Sequence, residues 1–290
     1  MYKGAMTALV TPFRGGEVAV DDLRRLVDFQ IEQGIDGLVP CGTTGETATL
    51  SLEEQALVMR TVVEQTKGRV PVIAGAGANS TKKAIELSKM AAETGADGLL
   101  HVSPYYNKPT QAGLVAHFRA VADATSLPIV LYNVPGRTAG DMLPETVAEL
   151  SKHERIVAIK EATASIQRAG EVIAAVPEDF SVLSGDDFTC AALILMGGKG
   201  VISVISNVMP GETAKLAKAA LDGDAPKMRE HHYRMQKLMH LLFTCANPIP
   251  VKAAMAMMGF GENALRLPLL PLDAAAQAPL KAELSALGLI

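Results

Sequence analysis

A short apolar run, Ile156-Val157-Ala158-Ile159, ends in Lys160 and is followed at once by Glu161. Side chains alternate between faces along a strand, so residues 156, 158 and 160 share one face. The lysine then stands among apolar neighbours, where an ammonium loses hydration. The free amine is the form that attacks a carbonyl carbon; the product is a Schiff base, chemistry open to lysine and closed to arginine. Alone, such a lysine is more often a strand-end residue whose amine snorkels to water, so the rest of the chain must supply the other parts of the reaction. Imine formation, dehydration and loss of a proton beside the imine each move a proton, a task for hydroxyl groups. Three of the five tyrosines, Tyr105, Tyr106 and Tyr132, stand at the ends of apolar runs, and Thr43 and Thr44 follow another. Each tyrosine by itself fits a half-buried rim equally well. Arg137 carries the forked guanidinium that grips a carboxylate, although a lone arginine also caps helices or makes surface ion pairs.

The elements that would bring these residues together are legible as short runs rich in Val, Ile and Leu at 5–10, 37–40, 70–74, 98–102, 129–133, 156–160, 181–184 and 200–204. Between them lie segments of helical period, among them 22–33, 52–66, 81–94, 110–124, 144–150 and 165–175. Ser51-Leu52-Glu53-Glu54 has the capping-box pattern of a helix start, and Asn79-Ser80-Thr81 offers capping side chains. Eight such units within roughly 225 residues predict an α/β fold, a closed (β/α)₈ TIM barrel, with an open doubly wound sheet as the alternative. After Asp222-Gly223-Asp224 the strand signal stops and helical segments follow. The chain is therefore divided into a barrel over residues 1–224 and a C-terminal helical appendage over 225–290, expected to pack on the barrel because no low-complexity linker separates them. In such a barrel the active site is built where strands end. Thr43, Thr44, Tyr105, Tyr106, Tyr132, Arg137, Lys160 and the Gly185-Asp186-Asp187 segment all fall there.

Other chemistries are poorly supported. Net charge is −4 with 20% charged residues, and no basic cluster interleaves with aromatics, which argues against nucleic acid and against a membrane surface as partners. The longest apolar stretch, near 191–208, is interrupted by Gly197, Gly198, Lys199 and Gly200, too broken for a membrane span. Cys41, Cys190 and Cys245 are odd in number and lack metal-type spacing, which favours reduced thiols and a cytoplasmic protein, with Cys41 as core filling. No H-E-x-x-H pattern accompanies the histidines, so no metal site is expected, and His231 and His232 are expected to face solvent. Gly42–Glu46 lacks the lysine of a phosphate-binding loop, and Gly75-Ala76-Gly77 is a partial dinucleotide fingerprint that turn glycines explain.

Five segments taken in order, Gly42-Thr43-Thr44-Gly45-Glu46, Ser103-Pro104-Tyr105-Tyr106-Asn107-Lys108-Pro109, Tyr132-Asn133-Val134-Pro135, Ile159-Lys160-Glu161-Ala162-Thr163 and Asn247-Pro248-Ile249-Pro250-Val251-Lys252, closely resemble the pyruvate-dependent class I aldolase superfamily typified by dihydrodipicolinate synthases. The resemblance spans nearly the whole chain. It implies a lyase of the diaminopimelate route to lysine that condenses pyruvate with L-aspartate 4-semialdehyde, needing neither metal nor organic cofactor. It makes Lys160 the imine-forming nucleophile and Tyr132 the central acid and base, linked through Thr43 to Tyr106 of a neighbouring subunit. Thr44, Gly185 and the backbone at Ile202 would contact the pyruvate-derived group. Pro135-Gly136-Arg137-Thr138 looks like the pattern that binds the carboxylate of the semialdehyde, whereas the related sialic-acid lyases usually lack that arginine. The family implies a homo-oligomer, usually a tetramer built as a dimer of tight dimers. Lysine-inhibited members bind their effector at the tight interface. Asn79 and Tyr105 match positions used there, but Lys83 stands where those members carry an acid, and Leu52 and Gln55 replace histidines of one subgroup. A cation facing a cationic effector implies weak inhibition by lysine or none.

Overall fold

The computed structural model describes residues 2–290. In chain order the elements are β1 (Gly4–Ala8), β2 (Phe13–Arg14), β3 (Glu17–Val18), α1 (Val20–Glu32), β4 (Gly37–Val39), α2 (Leu52–Thr66), β5 (Ile73–Gly75), α3 (Thr81–Glu93), β6 (Gly98–Val102), α4 (Gln111–Asp123), β7 (Ile129–Asn133), α5 (Pro135–Thr138), α6 (Pro144–Leu150), β8 (Ile156–Glu161), α7 (Ile166–Ala175), β9 (Ser181–Ser184), α8 (Cys190–Leu195), β10 (Gly200–Ser203) and α9 (Pro210–Leu221). The helices α10 (Ala225–Leu242), α11 (Ile249–Met257) and α12 (Ala274–Ala286) complete the chain.

Eight strands run parallel in the order β4-β1-β10-β9-β8-β7-β6-β5. A bridge between Leu38 and Val72, supported by the Gly75 amide donating to the Pro40 carbonyl at 3.0 Å, brings the two outer strands together and closes the barrel. Alternation along the strands separates two apolar layers. Met6, Val39, Ile73, Leu100, Val130, Ala158, Leu183 and Ile202 fill the barrel, while a larger cluster lies between strands and helices. Val, Ile and Leu recur because each strand is covered on both faces.

Expectation and structure differ where local geometry intervenes. Ile156 does not share a face with Lys160: the register slips between the Ile129–Ile156 and Val130–Ala158 pairs, so Ile156 joins the outer layer while Ala158 lies inside. That irregularity re-aims the strand end, as bulges do. The third barrel strand begins at Ile73, not at 70, because Pro71 has no N–H for a ladder and the Val72 amide donates to Asp97 Oδ2 at 2.9 Å instead. The β2–β3 hairpin, turning through Gly15 and Gly16 at positive φ, is too short to show a strand period and went unanticipated. His231 and His232 are half-buried, with His231 Nδ1 2.9 Å from Glu212 Oε2. The capping box at Ser51 and Glu54 is present on α2. Among the described residues no helix is long and apolar enough to cross a membrane.

Candidate active site

Lys160 and Tyr132 are register partners on adjacent strands β8 and β7, so both side chains leave the same face at the same height. The lysine is 5% exposed, and its Nζ lies 4.5 Å from the centroid of the Tyr132 ring. No carboxylate among the described residues pairs with it. Gly185, just past β9, makes room for its stem: a Cβ there would sit 2.9 Å from Lys160 Cε and 2.6 Å from Ala162 Cβ. Any larger residue at 185 pushes on the lysine itself.

On the outer face of the same strand ends a polar network fixes this pair. Asn133, next to Tyr132, donates through Nδ2 to Glu161 Oε2 at 3.1 Å and to Asp141 Oδ1 at 3.0 Å; Glu161 is next to Lys160. The Thr163 amide donates to Glu161 Oε1 at 2.8 Å. Burial pushes the Glu161 carboxyl above the usual carboxylate range, against the pull of these donors. Beyond β9, Asp187 Oδ2 accepts from the amides of Val204 and Ile205 at 3.0 and 2.9 Å, tying the loop after β9 to the end of β10. Burial raises its carboxyl too.

A cavity of about 160 Å³ opens above Lys160, lined by Tyr132, Thr43, Thr44, Arg137, Gly185 and Asn247 among others. Thr44 is buried, and its Oγ1 accepts from Asn247 Nδ2 at 3.0 Å, which leaves its own hydrogen free to point elsewhere. Arg137 stands at the exposed mouth on α5, donating from Nη2 to the Asn247 carbonyl at 3.2 Å, with no carboxylate partner among the described residues. The expected set therefore converges for Lys160, Tyr132, Thr43, Thr44, Arg137 and Gly185. Ile202 is different: its side chain packs inside the barrel, and it does not line the cavity, where Val204 does. Tyr106 is also apart, 89% exposed on the loop after β6, and it lines neither this cavity nor the larger one beside it.

A larger neighbouring cavity of about 530 Å³ shares Thr43, Tyr132 and Arg137 and extends to Tyr105, Lys83 and Gln55. Asn79 fixes its rim, donating to the Tyr105 carbonyl at 3.2 Å and accepting from Asn107 Nδ2 at 2.8 Å. Asn247 and Asp186 are lining residues to which sequence reasoning gave no role. For Asn247 a signal existed, because it opens the last of the five quoted segments.

A parallel eight-stranded barrel presenting a lysine, a tyrosine and two threonines into a small cavity at the carboxyl ends of its strands defines a (β/α)₈-barrel enzyme. The chain belongs to the dihydrodipicolinate synthetase family, whose model matches residues 1–287. The 4-hydroxy-tetrahydrodipicolinate synthase of Maridesulfovibrio salexigens is 54% identical over 290 residues, covering all of this chain and 99% of that protein. Among solved structures, the dihydrodipicolinate synthase of Aquifex aeolicus superposes with a TM-score of 0.97 at 44% identity, covering 99% of each chain. The chloride-inhibited dihydrodipicolinate synthase of Acinetobacter baumannii, complexed with pyruvate, gives a TM-score of 0.97 at 42% identity, again over 99% of each chain.

Proposed function

We infer that the chain is a 4-hydroxy-tetrahydrodipicolinate synthase, a lyase of lysine and diaminopimelate biosynthesis that condenses pyruvate with L-aspartate 4-semialdehyde through an imine on Lys160. The observation that carries the imine is the buried, carboxylate-free Lys160 held beside Tyr132 in a cavity suited to a small acid. Nζ attacks the keto carbon of pyruvate, and the carbinolamine loses water with protons passed through Tyr132 and Thr43. Thr44, with its hydrogen free, and Gly185 meet the pyruvate-derived group; a backbone contact at Ile202 completes it. Loss of a methyl proton gives the enamine, whose carbon attacks the aldehyde. The substrate's own amine then attacks the imine carbon, forming the ring and releasing Lys160.

The test is a coupled assay with pyruvate and aspartate semialdehyde, alongside borohydride reduction in the presence of pyruvate. Turnover and a pyruvate adduct on Lys160 are expected; an adduct without turnover would keep the imine and move the second substrate to another aldehyde.

Arg137 supplies the grip on the semialdehyde carboxylate. Arg137→Ala is expected to lower kcat/KM for aspartate semialdehyde by about 10²-fold, the scale of a lost bidentate charge-assisted contact, while pyruvate trapping stays within twofold of wild type. Equal losses in both would remove the arginine from this role.

The assembly we propose is a homotetramer built as a dimer of tight dimers: the exposed Tyr106 supports the tight dimer, and the family resemblance the pairing of dimers. A reducing cytoplasm suits its three free thiols. At the tight interface, Asn79, Lys83 and Tyr105 border the larger cavity. With Lys83 there unpaired among the described residues, lysine is expected to inhibit weakly or not at all; half-inhibition at submillimolar lysine would contradict this.

A further inference from the structure

Two of the five quoted segments end in a charged residue for which the reaction has no use, Glu46 and Lys252. The fold brings them together from 206 residues apart. Lys252 Nζ donates to Glu46 Oε1, and both side chains are 2% exposed. The ammonium also lies 3.8 Å from the centroid of the Phe13 ring, and burial holds it below its usual range against the pull of Glu46. The second carboxylate oxygen accepts from the Arg266 amide at 3.2 Å. Neither charge touches the small cavity that holds Lys160.

A buried ion pair is a poor way to stabilise a protein, since desolvation offsets much of the attraction and apolar residues of the same shape often do as well or better. What such a pair supplies is a single geometry. Here the geometry belongs to the threonine loop. Glu46 sits at φ 55, a left-handed conformation unusual for glutamate, and Cys41 at φ 56 bounds the other side. Between them the turn is closed by the Gly45 amide donating to Gly42 and the Glu46 amide to Thr43, both at 3.1 Å, with Thr11 Oγ1 donating to the Gly45 carbonyl at 2.7 Å. Asn247, just ahead of α11, and Lys252, within its first turn, grip this turn at two points, Thr44 and Glu46. A loop rotated at Glu46 would carry Thr43 and Thr44 with it.

We propose that the Glu46–Lys252 pair is a positioning device: it registers the C-terminal helical segment on the threonine loop and so sets Thr44 for pyruvate. The proposal rests on the imine reading above. Its test is the Glu46→Gln/Lys252→Met double variant, which removes both charges at nearly constant shape, with Glu46→Gln alone as the milder companion. The pyruvate concentration giving half-maximal borohydride trapping on Lys160 is read beside the thermal midpoint. The double variant is expected to need roughly tenfold more pyruvate, the scale of one mispositioned hydrogen bond to a charged group, with its midpoint within a few degrees of wild type. The single variant, which keeps an acceptor for Lys252, shifts the pyruvate dependence less, in the same direction. Unchanged pyruvate dependence, within twofold, in either variant that folds overturns the proposal, as does a fallen midpoint with normal trapping. A wild type that pyruvate never traps removes the imine reading itself, a distinct result.

Discussion

Lys160→Ala is expected to lose all borohydride-trapped pyruvate and to lower kcat/KM with aspartate semialdehyde by on the order of 10⁴-fold or more, as removal of a covalent nucleophile does. Lys160→Arg should be equally inactive, which separates nucleophilicity from charge: the guanidinium keeps the cation but forms no imine. The structure contains a natural control, because Lys252 is buried as deeply as Lys160. Burial is therefore not the discriminating property. Lys252 is committed to Glu46 and Phe13, whereas Lys160 faces a cavity, lies against the Tyr132 ring and has no carboxylate partner. Lys252→Met should accordingly still be trapped at saturating pyruvate. Adduct on Lys160→Ala, wherever it mapped, would contradict the assignment. Peptide mapping of the reduced adduct reads all of these outcomes.

The difference between those two lysines also marks what the sequence could convey. Lys160 was legible because strand period and position at a strand end are local properties, and the same local signals revealed all eight barrel strands. The register slip at Ile156 was not, because the run 156–160 is apolar on both faces and either alternation fits it. The pairing of Asn133 with Glu161 follows from the register of β7 and β8, and so becomes visible only once neighbouring strands are known. Glu46, Asn247 and Lys252 stood inside quoted segments, yet no spacing within either segment announces a contact made across more than 200 residues. Such contacts depend on how the C-terminal helices close over the barrel, and helical period alone does not carry that information. The backbone role given to Ile202 came only from resemblance, and its packing among Met6, Val130 and Ala158 explains why an apolar residue is needed there on other grounds.

Tyr106 is the remaining residue expected at the site, and within one chain it lines neither cavity. The side chain is 89% exposed, and its backbone is held at φ 74, which costs about 1 kcal/mol or more for a residue with a Cβ. The loop is nonetheless fixed, by the Asn107 amide donating to the Tyr105 carbonyl at 2.9 Å and by the two hydrogen bonds to Asn79. A strained, well-anchored loop that offers a large aromatic to solvent is what an isologous interface would use. If Tyr106 completes the proton relay of the partner subunit, Tyr106→Phe and Lys160→Ala should each be nearly inactive, yet unfolding and refolding the two together should restore activity. In a mixed dimer the site holding the intact Lys160 receives the intact Tyr106 of the other chain. Random assortment of equal amounts makes about half the dimers mixed, with one good site in two, so recovery should approach roughly a quarter of wild type. A tyrosine acting within its own chain leaves no site with both residues, and recovery would then be nil. Recovery should also vanish on dilution to where sedimentation shows monomers, because the relay and the interface are then the same contact.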